Sequence, residues 1–139
     1  MIEFNYEEIA FDFDEEVHSS WLSKVIVSEN KTEGDISYLF CNDDYLLDLN
    51  QKFLDHDTLT DIITFDNTMG NTVGADVCIS IDRVKDNAKD FEVSFEEELR
   101  RVLVHGVLHV CGYKDKSKDD TKIMRLKEDE KMALFHVEQ

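Results

Sequence analysis

Residues 94–115 read SFEEELRRVLVHGVLHVCGYKD, and this stretch predicts a well-defined helix followed by a sharp turn. Ser94 and Glu97 form a capping box, and the acidic residues of the first turn suit the positive end of the helix dipole. No charged residue occurs between Val102 and Cys111, so we expect the second half of the helix to be buried on most sides. We therefore predict a helix over 94–111 that lies at the centre of the fold.

Two histidines stand four residues apart on this helix, so the imidazoles of His105 and His109 point the same way. At that spacing the Cβ atoms are roughly 5–6 Å apart, and both imidazoles can reach one ion at the usual zinc–nitrogen distance of about 2.0–2.1 Å. Such pairs also arise by chance. Buried imidazoles, however, need partners for their polar nitrogens, and a metal ion would be one.

Gly112 follows the second histidine, and glycine readily adopts the left-handed conformation that ends a helix. The chain should then return and bring Asp115 to a third coordination position. We predict a metal site of His105, His109 and Asp115 with one position left open. Water at an open position on zinc loses a proton near neutral pH and can attack a carbonyl or a phosphate, which indicates a metal-dependent hydrolase.

Other interpretations of the residues near this site stay open. The alternative role for Asp115 is a solvated loop residue, because charged neighbours surround it. Asp119 and Asp120 are lesser candidates for the third ligand. Cys111 points to another face of the helix and is expected in the core, as is Met124 at helical spacing further on.

The rest of the chain predicts alternating strands and helices. Aliphatic and aromatic residues favour strands over 2–6, 36–41, 61–65 and 75–81, with Gly34 opening the second strand and the last two strands forming an adjacent antiparallel pair. Capping residues and helical spacing favour helices over 14–26, 42–53, 82–91 and 118–136. We therefore expect a mixed α/β fold in which a four-stranded sheet packs with about five helices.

The chain of 139 residues has no proline, no low-complexity linker and no repeat, so residues 1–139 are predicted to form one domain. Its three cysteines form no CxxC pair, which favours reduced thiols over disulfides or a zinc ribbon. We find no secretory signal at the N-terminus, and the longest nearly charge-free segment is too short to cross a bilayer. A cytoplasmic protein is therefore expected.

The spacing of the histidines resembles the metzincin signature HExxHxxGxxH, in which a glutamate acts as general base. Gly106 stands at the position of that glutamate, so the chain lacks the group that would activate water in a peptidase. A metallopeptidase is therefore the minor alternative.

The sequence is more similar to the YbeY family of bacterial rRNA maturation factors, whose signature is HGxLHxxGYDH. Residues 105–115 read HGVLHVCGYKD. Further upstream, residues 60–65 (TDIITF) resemble the family's TDVLSF, and residues 74–79 (GADVCI) resemble its LGDIVI. Three motifs in the family order thus span residues 60–115.

The resemblance implies an α/β domain with one zinc ion, or another divalent transition metal, in a cleft beside the sheet. It implies a single-strand endoribonuclease that acts in 16S rRNA 3′-end maturation and ribosome quality control. The partners implied are rRNA in the context of the small ribosomal subunit and ribosomal or assembly proteins, with no membrane and no nucleotide cofactor.

Two positions depart from the family pattern. Asp115 stands where the family has a third histidine, which is chemically mild because aspartate is an accepted zinc ligand, although carboxylates also suit manganese and iron-like ions. Leu54 stands where many members have an arginine, and a guanidinium is the natural bidentate partner of a phosphate. Lys52 and Arg101 are candidates to compensate for this loss.

Simpler interpretations apply to three of the charged residues. Arg101 would be a surface charge that pairs with a nearby glutamate, Glu97 or Glu98. Asp61 and Asp76 begin the two strand motifs, and aspartates at strand edges usually cap or hydrogen-bond a turn, so both stay off the set of ligands.

Two classes of function remain, and the sequence assigns no catalytic base. The first is a metal-dependent endoribonuclease; the second is a non-enzymatic assembly factor whose metal is structural and whose acidic surface docks basic ribosomal proteins.

The net charge of −17 repels free RNA, so we expect the ribosome or its proteins to present the substrate. The simplest role of the acidic residues themselves is the solubility of exposed helix faces.

Overall fold

The computed structural model describes residues 1–54 and 59–138, with side chains described up to residue 135. The element order in these residues is β1 (Ile2–Tyr6), α1 (Glu15–Ser28), β2 (Thr32–Cys41), α2 (Asp43–Leu54), β3 (Ile62–Asp66), β4 (Thr72–Ser80), α3 (Ile81–Asp90), α4 (Phe95–Val110) and α5 (Lys118–Glu138). This confirms the predicted α/β architecture. None of the helices found in the described ranges has both the length and the apolar character needed to cross a membrane.

The four strands form one mixed sheet in the order β1-β2-β4-β3. Strand β2 pairs in parallel with β1 on one side and with β4 on the other. Strand β3 is antiparallel to β4, with Ile62 opposite Ile79 and Phe65 opposite Asp76. The predicted antiparallel pair is therefore confirmed, and it forms one edge of the sheet.

The prediction that Gly34 opens β2 is wrong, because the strand begins at Thr32 and the glycine lies inside it. The register with β4 shifts between Glu33 and Ile36. A Cβ atom on Gly34 would lie 2.6 Å from the backbone oxygen of Val73. Glycine thus permits a close approach of two backbones at an irregular point of the sheet, which strand propensity alone does not reveal.

Helix α4 lies between the sheet and helices α3 and α5, as expected for the central helix. Buried polar groups tie these layers together: the Tyr38 hydroxyl donates to the backbone oxygen of Leu103 at 2.8 Å. Met124 of α5 is only 2% exposed, which confirms its core role. Cys111 is partly buried and packs against the same core. The core brings α4 and α5 together, and both carry site residues.

Candidate metal centre and adjoining cavity

Gly106 lets α4 approach the antiparallel edge of the sheet. A Cβ atom on this residue would lie 3.3 Å from Ile62 Cδ1, 3.5 Å from Val77 Cγ1 and 3.6 Å from Thr64 Oγ1. The long side chain of a glutamate would have to displace these neighbours. The structure therefore gives a packing reason for the glycine that stands at the position of the metzincin base.

The turn after α4 has the geometry predicted from its glycine. Gly112 has a φ of +113°, and its N–H donates to the backbone oxygen of His109 at 3.1 Å. The N–H of Tyr113 donates to the backbone oxygen of Leu108 at 3.1 Å. These bonds end the helix and turn the chain back, so that Asp115 lies beside α4.

His105 and Asp115 face each other after this turn. His105 Nε2 lies 3.8 Å from Asp115 Oδ2, which is too long for a hydrogen bond. Two ligands of one tetrahedral zinc ion, at the usual bond lengths, would be roughly 3.3–3.5 Å apart. The observed separation is close to that value, so these two side chains fit a shared ion with little movement.

Glu128 of α5 holds the other nitrogen of the same imidazole. Its Oε2 lies 2.8 Å from His105 Nδ1. Burial alone would raise the pKa of Glu128, but hydrogen bonds from His105 and Arg101 bring the pKa below its usual value. An ionised carboxylate only accepts hydrogen bonds, so Nδ1 carries a proton, and Nε2, on the side of Asp115, is the nitrogen left for a metal ion. Metal-binding histidines commonly have such a carboxylate behind them.

The surroundings of His105 favour positive charge. Burial alone would lower its pKa, but the hydrogen bond with Glu128 and the charges of Glu128, Asp115 and Asp61 raise the pKa above its ordinary value. A proton or a metal cation at Nε2 would satisfy the same carboxylates. The donor set of imidazole and carboxylate therefore has the chemistry of a transition-metal site.

His109 does not complete the set in this structure. The residue is exposed, one turn after His105. Among the side chains of residues 1–54 and 59–135, no group of three or more His, Cys, Asp or Glu is placed to hold a metal ion. The structure thus brings together two of the three predicted ligands, and the His109 side chain would have to turn towards them to provide the third.

The two lesser ligand candidates lie in the first turn of α5. Asp120 Oδ2 accepts from the backbone N–H of Ser117 at 3.3 Å, and its own N–H donates to the Ser117 hydroxyl at 3.0 Å. These reciprocal bonds cap the start of α5. Asp119 is exposed in the same turn. Thr121 instead supports the main candidate, since its hydroxyl donates to Asp115 Oδ1 at 2.8 Å.

A cavity of about 240 Å³ adjoins the pair of candidate ligands. We call it the His105 cavity; its lining includes His105, Asp115, Glu128, Asp61, Glu98, Arg101 and Arg125. Burial raises the pKa of the Asp61 carboxyl, and it raises that of Glu98 to about 7. Both carboxyls can therefore hold a proton nearer neutral pH than an ordinary aspartate or glutamate.

The interpretation of Asp61 as a strand-edge residue is incomplete, because it also lines the His105 cavity, where its Oδ2 accepts from Asn87 Nδ2 at 3.3 Å. Asp76 keeps the simpler role: it is exposed and accepts from Asn67 Nδ2 at 3.0 Å. Of the two aspartates that begin the strand motifs, only Asp61 lines the cavity.

The cations considered as phosphate ligands are already engaged. Arg101 pairs with Glu128 at 3.0 Å and with Asp129 at 2.8 Å on α5, so the expected pairing with a glutamate of its own helix is wrong. Lys52 pairs with Asp48 at 3.0 Å within α2. Leu54 ends α2 and is 43% exposed, and residues 55–58 lie outside the described part of the chain.

A larger groove of about 660 Å³ lies elsewhere, over the ends of β1, β2 and β4. Its lining includes Met1, Asp35, Met69 and Asp76. Among the described residues that line it, there is no histidine or cysteine. The smaller cavity beside His105 therefore has the better chemistry for a reaction centre.

Sequence reasoning does not single out Glu128, although a signal is present. The residue stands four positions after Met124 and four before Met132, both of which are buried on α5. A glutamate on the buried stripe of a helix requires a polar partner in the interior. The pattern therefore predicts a buried contact, but not that the partner is a histidine of α4.

Comparison with known proteins identifies the family to which this chain belongs. The family model described as Endoribonuclease YbeY matches residues 2–136. The protein named Endoribonuclease YbeY from Flavobacterium johnsoniae is 62% identical and covers 100% of both chains. The protein of the same name from Flavobacterium psychrophilum is 60% identical and covers 100% of this chain and 99% of its own.

The fold also matches a solved structure. The solution structure of TM1509 from Thermotoga maritima superimposes with a TM-score of 0.70 at 26% identity, covering 99% of this chain and 91% of that one. The motifs over residues 60–115 thus lie within a family match that extends over nearly the whole chain. The chain belongs to the endoribonuclease YbeY family.

Proposed function

We propose that this protein is a metal-dependent endoribonuclease that hydrolyses phosphodiester bonds of single-stranded RNA. Membership of an endoribonuclease family supports the reaction class. The observation that carries the metal dependence is the placement of His105 Nε2 opposite Asp115 Oδ2 at 3.8 Å, with Glu128 behind the imidazole.

His105, Asp115 and His109 would hold one divalent ion, either zinc or another transition metal. Such an ion would supply Lewis acidity at the phosphate and lower the pKa of water. Glu128 fixes the tautomer of His105, and the Thr121 hydroxyl occupies Asp115 Oδ1 so that Oδ2 faces the histidine. Two helices and one turn thus orient the donor atoms.

Proton transfer would fall to two carboxyls of the His105 cavity, those of Glu98 and Asp61. Glu98 is 4% exposed, and burial raises its pKa to about 7. Asp61 lines the same cavity, and burial raises its pKa as well. A carboxyl with a pKa near the working pH is suited to accept and release a proton during hydrolysis. These two residues are our candidates for the proton acceptor.

We assign the substrate to the 3′ end of 16S rRNA, within the maturation and quality control of the small ribosomal subunit in the cytoplasm. The net charge of −17 favours RNA that is presented by the subunit and its proteins over RNA captured from solution. Association with small subunits that resists high salt would support this assignment. Tight binding to free RNA would contradict it.

The decisive experiment measures bound metal by elemental mass spectrometry together with cleavage of single-stranded RNA. Wild type is compared with His105→Ala, His109→Ala and Asp115→Ala. Asp90→Ala is the matched control, because Asp90 is an exposed aspartate at the end of α3 and lines neither cavity beside Asp115. We expect about one metal ion per chain in wild type and in the control. Each ligand variant should lose both metal and cleavage.

Two other outcomes would change the proposal. If Asp115→Ala keeps its metal while His105→Ala loses it, Asp115 is a loop charge and the third ligand lies elsewhere. If the variants lose metal but wild type shows no cleavage of any RNA, the alternative of a non-enzymatic assembly factor gains support.

A further inference from the structure

We propose that Arg125 of α5 binds a phosphate of the substrate RNA beside the candidate metal centre. The inference deepens the proposed endoribonuclease function and rests on it. It concerns substrate binding: Arg125 would hold the RNA backbone, while the reacting phosphate lies in the His105 cavity.

The first argument is position. Arg125 lines the His105 cavity and also a second cavity of about 260 Å³, which is lined by Asp115, Thr121, Met124 and Glu128 in addition. Asp115 likewise borders both cavities. An RNA backbone that crosses from one cavity to the other would therefore pass both Asp115 and Arg125.

The second argument is the availability of donors. Arg101, the other arginine of the His105 cavity, is 18% exposed and uses one nitrogen on Glu128 and another on Asp129. Arg125 is 53% exposed, and its ion pair with Glu128 Oε1 is long, at 3.5 Å. Glu128 already pairs more closely with His105 and Arg101. Arg125 can therefore turn to a new anion without leaving Glu128 unpaired.

The third argument is charge. The His105 cavity contains the carboxyls of Asp61, Glu98, Asp115 and Glu128. These groups repel a phosphate, so an exposed cation beside the cavity, in addition to the metal ion, favours the approach of an RNA strand. A guanidinium suits this role because it offers two parallel hydrogen bonds to phosphate oxygens. The ion pair with Glu128 is long and leaves Arg125 half-exposed, so it contributes little to stability and does not by itself require an arginine.

The test is binding of a short single-stranded RNA to the metal-loaded protein by NMR at several low salt concentrations, where weak binding can also be measured. Wild type is compared with Arg125→Ala and Arg125→Lys. Lys122→Ala is the matched control, because Lys122 is an exposed cation of the same helix that lines neither cavity.

We expect Arg125→Ala to weaken binding about 10-fold or more, the size expected for one charged hydrogen-bonded contact. The slope of the logarithm of the association constant against the logarithm of salt concentration should be less negative by about 0.7. Arg125→Lys should restore the slope and only part of the affinity. The control should bind within about two-fold of wild type, given the small effect of one exposed charge.

Equal affinities and equal salt slopes for Arg125→Ala and Lys122→Ala would overturn the inference, as would an absence of wild-type binding even at the lowest salt. RNA cleavage is measured on the same samples. Wild type that binds RNA through Arg125 but does not cleave it would overturn the proposed function and leave the binding role intact. Thermal unfolding of each variant verifies that it is folded. If Arg125→Ala is not folded, the RNA affinity and the salt slope of Arg125→Lys test the inference instead.

Discussion

Glu128 Oε2 lies 2.8 Å from His105 Nδ1, so a carboxylate on α5 orients an imidazole on α4 across the packed helices. Glu128 is 5% exposed, and the same carboxyl also binds Arg101 at 3.0 Å. The candidate metal centre therefore depends on the docking of α5. Residues 105–115 alone would leave the histidine without a fixed tautomer.

Glu128→Gln should weaken metal binding while the chain stays folded. The amide can still bond one nitrogen of His105, but it lacks the charge that favours a cation on the other nitrogen. We expect a loss of about 10- to 100-fold in metal affinity, as for other carboxylates behind ligating histidines. Competition with a zinc chelator measures this, with Glu96→Gln in the exposed first turn of α4 as the matched control. Equal affinities for both variants would mean that Glu128 has a structural role alone.

Gly106→Glu would restore the metzincin pattern but should not produce a peptidase. The new side chain would press on Ile62, Val77 and Thr64 and place a charge against the sheet. We expect the free energy of unfolding to fall by about 2 kcal/mol or more, measured by urea denaturation. Gly106→Ala is the comparison variant. Its gain of about 1 kcal/mol in helix propensity opposes the mild crowding by the Ile62 methyl group, so its free energy of unfolding should change less than that of Gly106→Glu. A stable Gly106→Glu variant would contradict the packing argument.

The ion pair between Glu29 and Lys131 should make stability depend on pH in the acid range. Lys131 Nζ lies 2.7 Å from Glu29 Oε2, and the lysine side chain is 3% exposed. Burial alone would raise the pKa of Glu29, but hydrogen bonds from Lys131 and Tyr113 bring it below its ordinary value of 4.5. The pKa of Glu29 is therefore lower in the folded protein than in the unfolded chain. The ion pair stabilises the folded protein fully above pH 4.5, and this stabilisation is lost as the pH falls through the folded pKa.

Lys131→Ala should therefore destabilise the protein at pH 7 by about 2–4 kcal/mol, since it removes the nearer and more buried of the two cations beside a largely buried carboxylate. Lys127→Ala is the control, because Lys127 is 30% exposed and lies 3.7 Å from the same carboxylate. Urea denaturation at pH 7 and at pH values below 4.5 measures both variants. The difference in free energy of unfolding between wild type and Lys131→Ala should shrink in acid. A difference that stays constant with pH would show that the charge of Glu29 is not involved.

Removal of the metal by a chelator should leave the fold in place. The main core is built from apolar side chains of the helices and strands, and it contains none of the three candidate ligands. We expect an unchanged far-UV circular dichroism spectrum and a cooperative transition at a lower Tm, with cleavage lost and restored by added metal. Cooperative unfolding on chelation would instead indicate a structural metal and favour the assembly-factor alternative.

Much of the local structure follows from sequence patterns. The capping box at Ser94, the uncharged second half of α4 and the glycine turn predict the helix and its end, and Gly112 does adopt a positive φ. The antiparallel pair of β3 and β4 follows from two strand segments joined by a short turn. These features depend on residues a few positions apart, so their geometry is set by helical and strand periodicity.

Only the tertiary structure decided which distant groups meet. His105 and Glu128 are 23 residues apart, and Arg101 pairs with α5 instead of its own helix because α5 docks on that side of α4. Gly34 lies inside β2 at the point where the backbone of β4 comes too close for a Cβ atom. By itself, the sequence determined the helix that carries the candidate ligands. The docking of α5 and the order of the strands placed carboxylates and arginines around it, because contacts between elements depend on how whole faces pack.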